Sequence, residues 1–160
     1  MAEKLLKRMN EEQRIYYKIS PLSKSVSKIV INHEDAIYSL LYIIHYLEKH
    51  DYTLTHICLQ DFVVIDNKLF LDSSKHMVDL KGDYFSYQSI PKSGIEFITN
   101  NMSENRIHKS NVYESIGYFI YYLLIHKVKK ELNEKDFEPI FETKPYYFIK
   151  NAIEKSMIYI

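Results

Sequence analysis

The run from Asn111 to Val128 constrains the fold more than any other stretch, because its apolar residues recur on almost every side of a helix. Val112, Ile116, Phe119, Ile120, Leu123 and Leu124 fall at helical spacing, and Tyr113, Tyr118, Tyr121, Tyr122 and Ile125 fill the other sides. A helix that is apolar nearly all round belongs at the centre of its domain. Gly117 interrupts the run at a position where glycine costs a helix about 1 kcal/mol relative to alanine. It implies a close approach of another backbone there.

A chain of 160 residues can wrap one core around such a helix. We divide it into an N-terminal arm, residues 1–20, and a single domain, residues 21–160. With 21 basic residues against 21 acidic ones, no global field draws the chain to nucleic acid or to an anionic membrane. The single cysteine, Cys58, excludes an internal disulfide framework and a cysteine-rich metal site, and it suits a reducing compartment. Met1 to Arg8 alternates charge with leucine and lacks the apolar core of a signal peptide. No run reaches the length of a membrane span, since Glu114 lies inside the most apolar one. The expectation is an intracellular, cytoplasmic protein with neither a nucleic-acid nor a membrane partner. Three glycines, no tryptophan and fifteen tyrosines, with abundant Ile, Lys and Asn, resemble translation of an AT-rich genome such as that of a large DNA virus.

Along the chain, residues 3–14 read as a short amphipathic helix or a loose arm. Ile15 to Ile19 alternates weakly, as a short strand ended by Ser20-Pro21 would. Leu22 to Val30 reads as a small surface helix. Asn32 is a good N-cap, and Glu34 and Asp35 suit the positive end of a helix over His33 to Lys49, whose stripe is Ile37, Leu40, Leu41, Ile44 and Leu47. Tyr52 to Asp61 is a mixed connector. Phe62-Val63-Val64-Ile65 and Lys68-Leu69-Phe70-Leu71 flank Asp66-Asn67 as a hairpin. Past Asp72-Ser73-Ser74 periodicity disappears until Asn111, and a loop that long is commonly functional. After the central helix come a charged extension, Lys127 to Asp136, a loop between Pro139 and Pro145, and a last helix, Tyr146 to Met157. The fold class is mainly α with a small β-hairpin, α+β.

The order of long helix, connector, hairpin ending in an aspartate, long loop and buried helix resembles the C-terminal lobe of protein kinases over Pro21 to Ile160. Ser110-Asn111-Val112-Tyr113-Glu114-Ser115-Ile116-Gly117-Tyr118 is similar to the Asp-Asp-Leu-Glu-Ser-Leu-Gly-Tyr of casein kinase 1 and vaccinia-related kinases, with Asn111 at the first aspartate. The resemblance implies a catalytic loop at Leu54-Thr55-His56-Ile57-Cys58-Leu59-Gln60-Asp61-Phe62. His56 then stands at the catalytic aspartate, Cys58 at the lysine and Asp61 at the asparagine. A second register puts His56 at the family's histidine, Cys58 at the aspartate and Val63 at the asparagine. The first is preferred because it keeps Ile57 and Phe62 at apolar positions, and in both the acidic base is gone. Asp72 matches the metal-binding aspartate, with Ser73 and Ser74 behind it instead of Phe-Gly. Gly94-Ile95-Glu96 stands for Ala-Pro-Glu, but no late arginine exists to pair Glu96, which is expected to be exposed.

Only about twenty residues precede the matching part, too few for the ATP-covering lobe on which phosphoryl transfer depends. The resemblance therefore implies a truncated pseudokinase that is not an enzyme, with an absent N-terminal lobe. No catalytic residue and no cofactor are expected, and His56, Cys58 and Asp61 are degenerate catalytic-loop positions. His56 reads as a structural histidine and Cys58 as a small buried hydrophobe. No metal is expected, with Asp61 and Asp72 as residual carboxylate candidates, and the other histidines are too scattered for a metal spacing. Tyr146-Tyr147-Phe148 reads as core at a helix start.

The function that follows is a non-catalytic module that binds another protein, such as a host or viral kinase that it inhibits. A loose likeness of Arg14-Ile15-Tyr16 and Ser20-Pro21-Leu22 to a truncated baculovirus mimic of kinases points the same way. The contact surface would be Ser73 to Ser110 together with the face a missing lobe leaves open, which a partner or residues 1–20 must otherwise cover. Alternatives are a structural scaffold of a virion or large assembly, and a divergent phosphotransferase using His56, Asp61 and Asp72.

Overall fold

The fold was analysed in a computed structural model, which describes residues 1–20, 30–87, 94–99 and 106–155. Among these, five α-helices and eight short strands alternate in the order α1 (Ala2–Tyr16), α2 (His33–Lys49), β1 (Tyr52–Leu54), β2 (Ile57–Cys58), β3 (Phe62–Ile65), β4 (Lys68–Leu71), β5 (Met77–Asp79), β6 (Tyr84–Phe85), β7 (Glu96–Phe97), β8 (Ile107–His108), α3 (Asn111–Ile125), α4 (Glu134–Phe137) and α5 (Lys144–Lys155). The class is α+β. No described helix is long and apolar enough to cross a membrane.

Helix α2 has the bounds its stripe predicts, and the Asn32 side chain accepts from the Glu34 backbone N–H at its start. The β3–β4 hairpin also matches its sequence signal. Asp66 and Asn67 both take positive φ, 48° and 60°, as a two-residue turn between right-twisted strands requires.

One hairpin was expected, but the described chain forms four antiparallel pairs, β1 with β5, β2 with β7, β3 with β4 and β6 with β8. Three of them draw strands from the segment between Asp72 and Asn111 that lacks periodicity. Strands of two or three residues are too short for alternation to register, so pairing across long sequence separations decides them.

Helix α3 is the central element. Val112, Ile116, Phe119 and Ile120 are fully buried, and α3 packs against α2, α5, β2 and β7. It ends at Ile125, where His126 turns the chain with φ 64°, so the expected helix to Val128 is three residues too long. The apolar pattern stops at Ile125, and Leu123, Leu124 and Ile125 are only half-buried. At Gly117 an added Cβ would lie 3.1 Å from Ala152 Cβ and 3.2 Å from Ile153 Cγ1, which is the close approach of α5 that the glycine implies.

The N-terminal segment is helical through Tyr16, so the expected strand over Ile15 to Ile19 does not form. Ile15, in the last turn of the helix, is 78% exposed, and Ile19, beyond a turn, is buried. Leu5, Leu6 and Met9 join the main core. Asn10 Nδ2 donates to Leu71 O at 2.8 Å, and Gln13 Nε2 donates to Leu69 O at 2.7 Å. Helix α1 thus lies along β4 and covers part of the hairpin. The expected helix over Leu22 to Val30 lies outside the described residues except for Val30, which is exposed. In the charged extension, α4 forms behind a capping box between Asn133 and Asp136. Helix α5 starts two residues before Tyr146 and takes Pro145 into its first turn. Its expected end at Met157 lies outside the described residues.

Candidate functional site

Two strand pairings set up a buried polar cluster beneath the N-terminal end of α3. In the first, β1 runs antiparallel to β5 with Leu54 opposite Met77, and the Thr55 N–H donates to His76 O at 3.0 Å. In the second, β2 pairs with β7 so that Cys58 faces Glu96. His56 lies between the two pairings, and His76 and Glu96 arrive from opposite directions. The single helical turn Leu59–Asp61 then swings Asp61 back to the same place.

The contacts are short and buried. His56 Nε2 lies 3.0 Å from Glu96 Oε1, and His76 Nε2 lies 3.4 Å from the same oxygen. His76 Nδ1 donates to Asp61 Oδ2 at 2.5 Å. His56 Nδ1 is 2.9 Å from Thr55 Oγ1, and the two imidazole rings are 4.5 Å apart. His56 is 0% exposed, His76 2%, Asp61 3% and Glu96 7%. Burial holds the His56 imidazole below its ordinary pKa, outweighing the upward pull of its hydrogen bond to Glu96.

A second layer ties the cluster to α3. Ser115 Oγ accepts from the Ile57 N–H at 2.8 Å and donates to Phe97 O at 2.6 Å, so one hydroxyl joins β2, β7 and the helix. Thr99 Oγ1 donates to Asn111 Oδ1 at 2.7 Å. Ser110 is the residue that caps α3, and Asn111 is its first helical residue. The direct hydrogen bond from the connector to α3 is made by Ser115, one helical turn further on.

The three positions that the resemblance singled out, His56, Cys58 and Asp61, are thus brought together and buried. Cys58 is fully buried, as a small hydrophobe would be, with Sγ 3.6 Å from Gln60 Oε1. Asp72 takes no part. Its side chain is exposed, and its backbone N–H donates to Asp61 O at 2.7 Å. Two expectations need correction. Glu96, expected to be exposed for want of an arginine, is buried, with His56 Nε2 and His76 Nε2 3.0 and 3.4 Å from its Oε1. The histidines are also less scattered than their numbering suggests, since strand pairing closes the twenty-residue gap between His56 and His76. The one signal that could have revealed this is that each lies beside a short β-rich run, Thr53-Leu54 and Met77-Val78.

No protein-family model matches this chain, and no curated protein matches it.

Elsewhere, Tyr146 and Phe148 are buried as core, whereas Tyr147 is 52% exposed. It borders a cavity of about 440 Å³ between α2 and α5, with Tyr38 and Ile37 opposite. A wider cleft of about 680 Å³ is lined by Tyr52, Val78, Asp79, Lys81, Tyr84 and Arg106, among others. There the Arg106 guanidinium stacks 3.8 Å from the centre of the Tyr84 ring. None of His56, Cys58, Asp61, His76 or Glu96 lines either of these openings.

Proposed function

We propose that this protein is a non-catalytic, kinase-like module that works by binding another protein. The observation that carries the reading is the sealing of the loop that resembles a catalytic loop. A group that transfers phosphate must meet substrate and nucleotide, but His56, Cys58 and Asp61 are buried, 0%, 0% and 3% exposed.

The element order supports the kinase-like part of the reading. A long helix, a connector, a hairpin ending at Asp72, a long segment and a central buried helix follow one another as the resemblance requires. Helix α1 accounts for one open face, because its side chains cover part of the hairpin where a second lobe would sit. The partner then engages the segment from Ser73 to Ser110. Its described part carries the cleft with Tyr84, Lys81 and Arg106, and tyrosine and arginine are residue types that anchor protein interfaces.

Two measurements test this. Millimolar ATP with magnesium or manganese should leave the melting temperature unchanged, whereas a ligand that binds the folded state raises it. A partner captured from source cells should be lost when Tyr84 and Arg106 are both replaced by alanine, and kept by a Tyr38→Ala, Tyr147→Ala control. A nucleotide-dependent thermal shift with phosphate transfer to any acceptor would overturn the non-catalytic reading.

A further inference from the structure

We infer that His56, His76 and Glu96 form a three-ligand binding site for a first-row divalent metal ion of zinc's class. The inference stands on the geometry of these side chains and does not depend on any likeness to kinases.

The donor atoms converge. One ring nitrogen from each histidine and a Glu96 oxygen all lie within 4.8 Å of one another, and the two Nε2 atoms stand 3.0 and 3.4 Å from Glu96 Oε1. Ligands about 2.0–2.1 Å from a tetrahedral zinc ion are about 3.3 Å apart, so an ion fits after small side-chain adjustments.

Hydrogen bonding leaves the site short of a proton or a cation. His76 gives its Nδ1 proton to Asp61. Its Nε2 is buried and, although 3.4 Å from Glu96 Oε1, has no hydrogen-bond partner. In the neutral imidazole that nitrogen carries a lone pair aimed at a carboxylate oxygen. His56 instead holds Glu96 Oε1 through an ordinary hydrogen bond from Nε2–H at 3.0 Å, and an ion taking that place moves the ring proton to Nδ1, where Thr55 Oγ1 can accept it. The His76 Nε2 lone pair and the carboxylate it faces repel each other, and a cation between them removes the repulsion.

Charge leads to the same place. Asp61 and Glu96 are two buried carboxylates, and among the described residues their ion-pair partners are only these histidines. Buried charge must be paired or coordinate a metal. The outer contacts are those of a metal-bound histidine, which donates its second ring nitrogen to a carboxylate or another oxygen. Asp61 does this for His76 and Thr55 for His56. Imidazole with carboxylate selects zinc, iron, cobalt or nickel over the all-oxygen sites of calcium and magnesium. Bound here, the ion would pin the β1–β5 and β2–β7 pairings together at one point.

The test uses the full chain. Protein stripped with a chelator is dialysed against zinc, and bound metal is measured by elemental analysis with melting temperature in parallel. The expected result is about one zinc per chain and a melting temperature raised by about 5 °C or more, reversed by chelator. Surface variant His45→Ala should bind equally, whereas His76→Ala and Glu96→Gln should lose the ion and the shift. Because those two variants could fail to fold, cobalt is added to the unmodified protein as well. Visible ligand-field bands of a low-symmetry nitrogen and oxygen site are expected, and competed away by zinc. Binding below about 0.1 equivalent with an unmoved melting temperature, no cobalt bands, or undiminished binding in both folded variants would overturn the proposal.

Discussion

The two flanks of α3 show opposite ways of filling a core. Toward α5 the helix is apolar. Gly117 lets the backbones close until Ala152 and Ile153 would touch an added Cβ, and Ile149 and Ala152 are fully buried. Toward the connector it meets polar groups, where Ser115 bridges Ile57 and Phe97 and Asn111 is held by Thr99. Behind them lies the cluster of histidines and carboxylates. The apolar flank tolerates small errors because each lost contact is weak. The polar flank does not, because each member that is removed leaves a desolvated partner unsatisfied.

The largest effect is therefore expected on the polar side. Asp61→Ala removes the carboxylate that pairs the buried His76 and should cost about 3–5 kcal/mol, read by urea denaturation. A loss under 1 kcal/mol would mean that water enters the cluster freely. On the apolar side, Gly117→Leu forces α5 away and should cost about 1–3 kcal/mol by overpacking. Gly117→Ala gains about 1 kcal/mol of helix propensity against the 3.1 Å contact with Ala152 and should be near neutral. Ser115→Ala sits where the flanks meet. It strands the Ile57 N–H and should cost about 1–3 kcal/mol, with faster hydrogen exchange at Ile57 than at Ile120.

The smallest effect is expected at high pH, on residues that lie between the two flanks. Burial, helped by Glu114 and Glu131, pushes the Tyr118 hydroxyl up to about 12, and burial beside Glu48 pushes Tyr113 up as well. A raised phenol favours its neutral form in the folded state. Its stabilising effect is complete below about pH 10, the unfolded value, and is lost as pH climbs from there toward 12. Replacing Tyr118 with Phe should flatten this alkaline decline, followed as melting temperature against pH.

The same contrast explains what could be read from the sequence. The apolar flank is written in local periodicity, so α2, the start of α3, the hairpin and the role of Gly117 follow from residues three or four apart. The polar flank is written in long-range pairing. Nothing within ten residues of His56 announces Glu96, which reaches it only because Cys58 pairs with it across β2 and β7. Reading Glu96 as exposed followed from the missing arginine, whereas it is buried beside two histidines. The end of α3 at Ile125 and the helical course through Tyr16 were misjudged where charged or tyrosine-rich sequence suits helix and coil alike.

The central claim is that the loop holding His56, Cys58 and Asp61 is sealed within the fold. Cys58 is the only cysteine of the chain, which makes thiol labelling of the native protein the most direct test. A small thiol reagent is expected to label Cys58 only at the rate of global unfolding, with the rate rising as denaturant approaches the midpoint. Rapid labelling in buffer, at a rate near that of the unfolded chain, would contradict it.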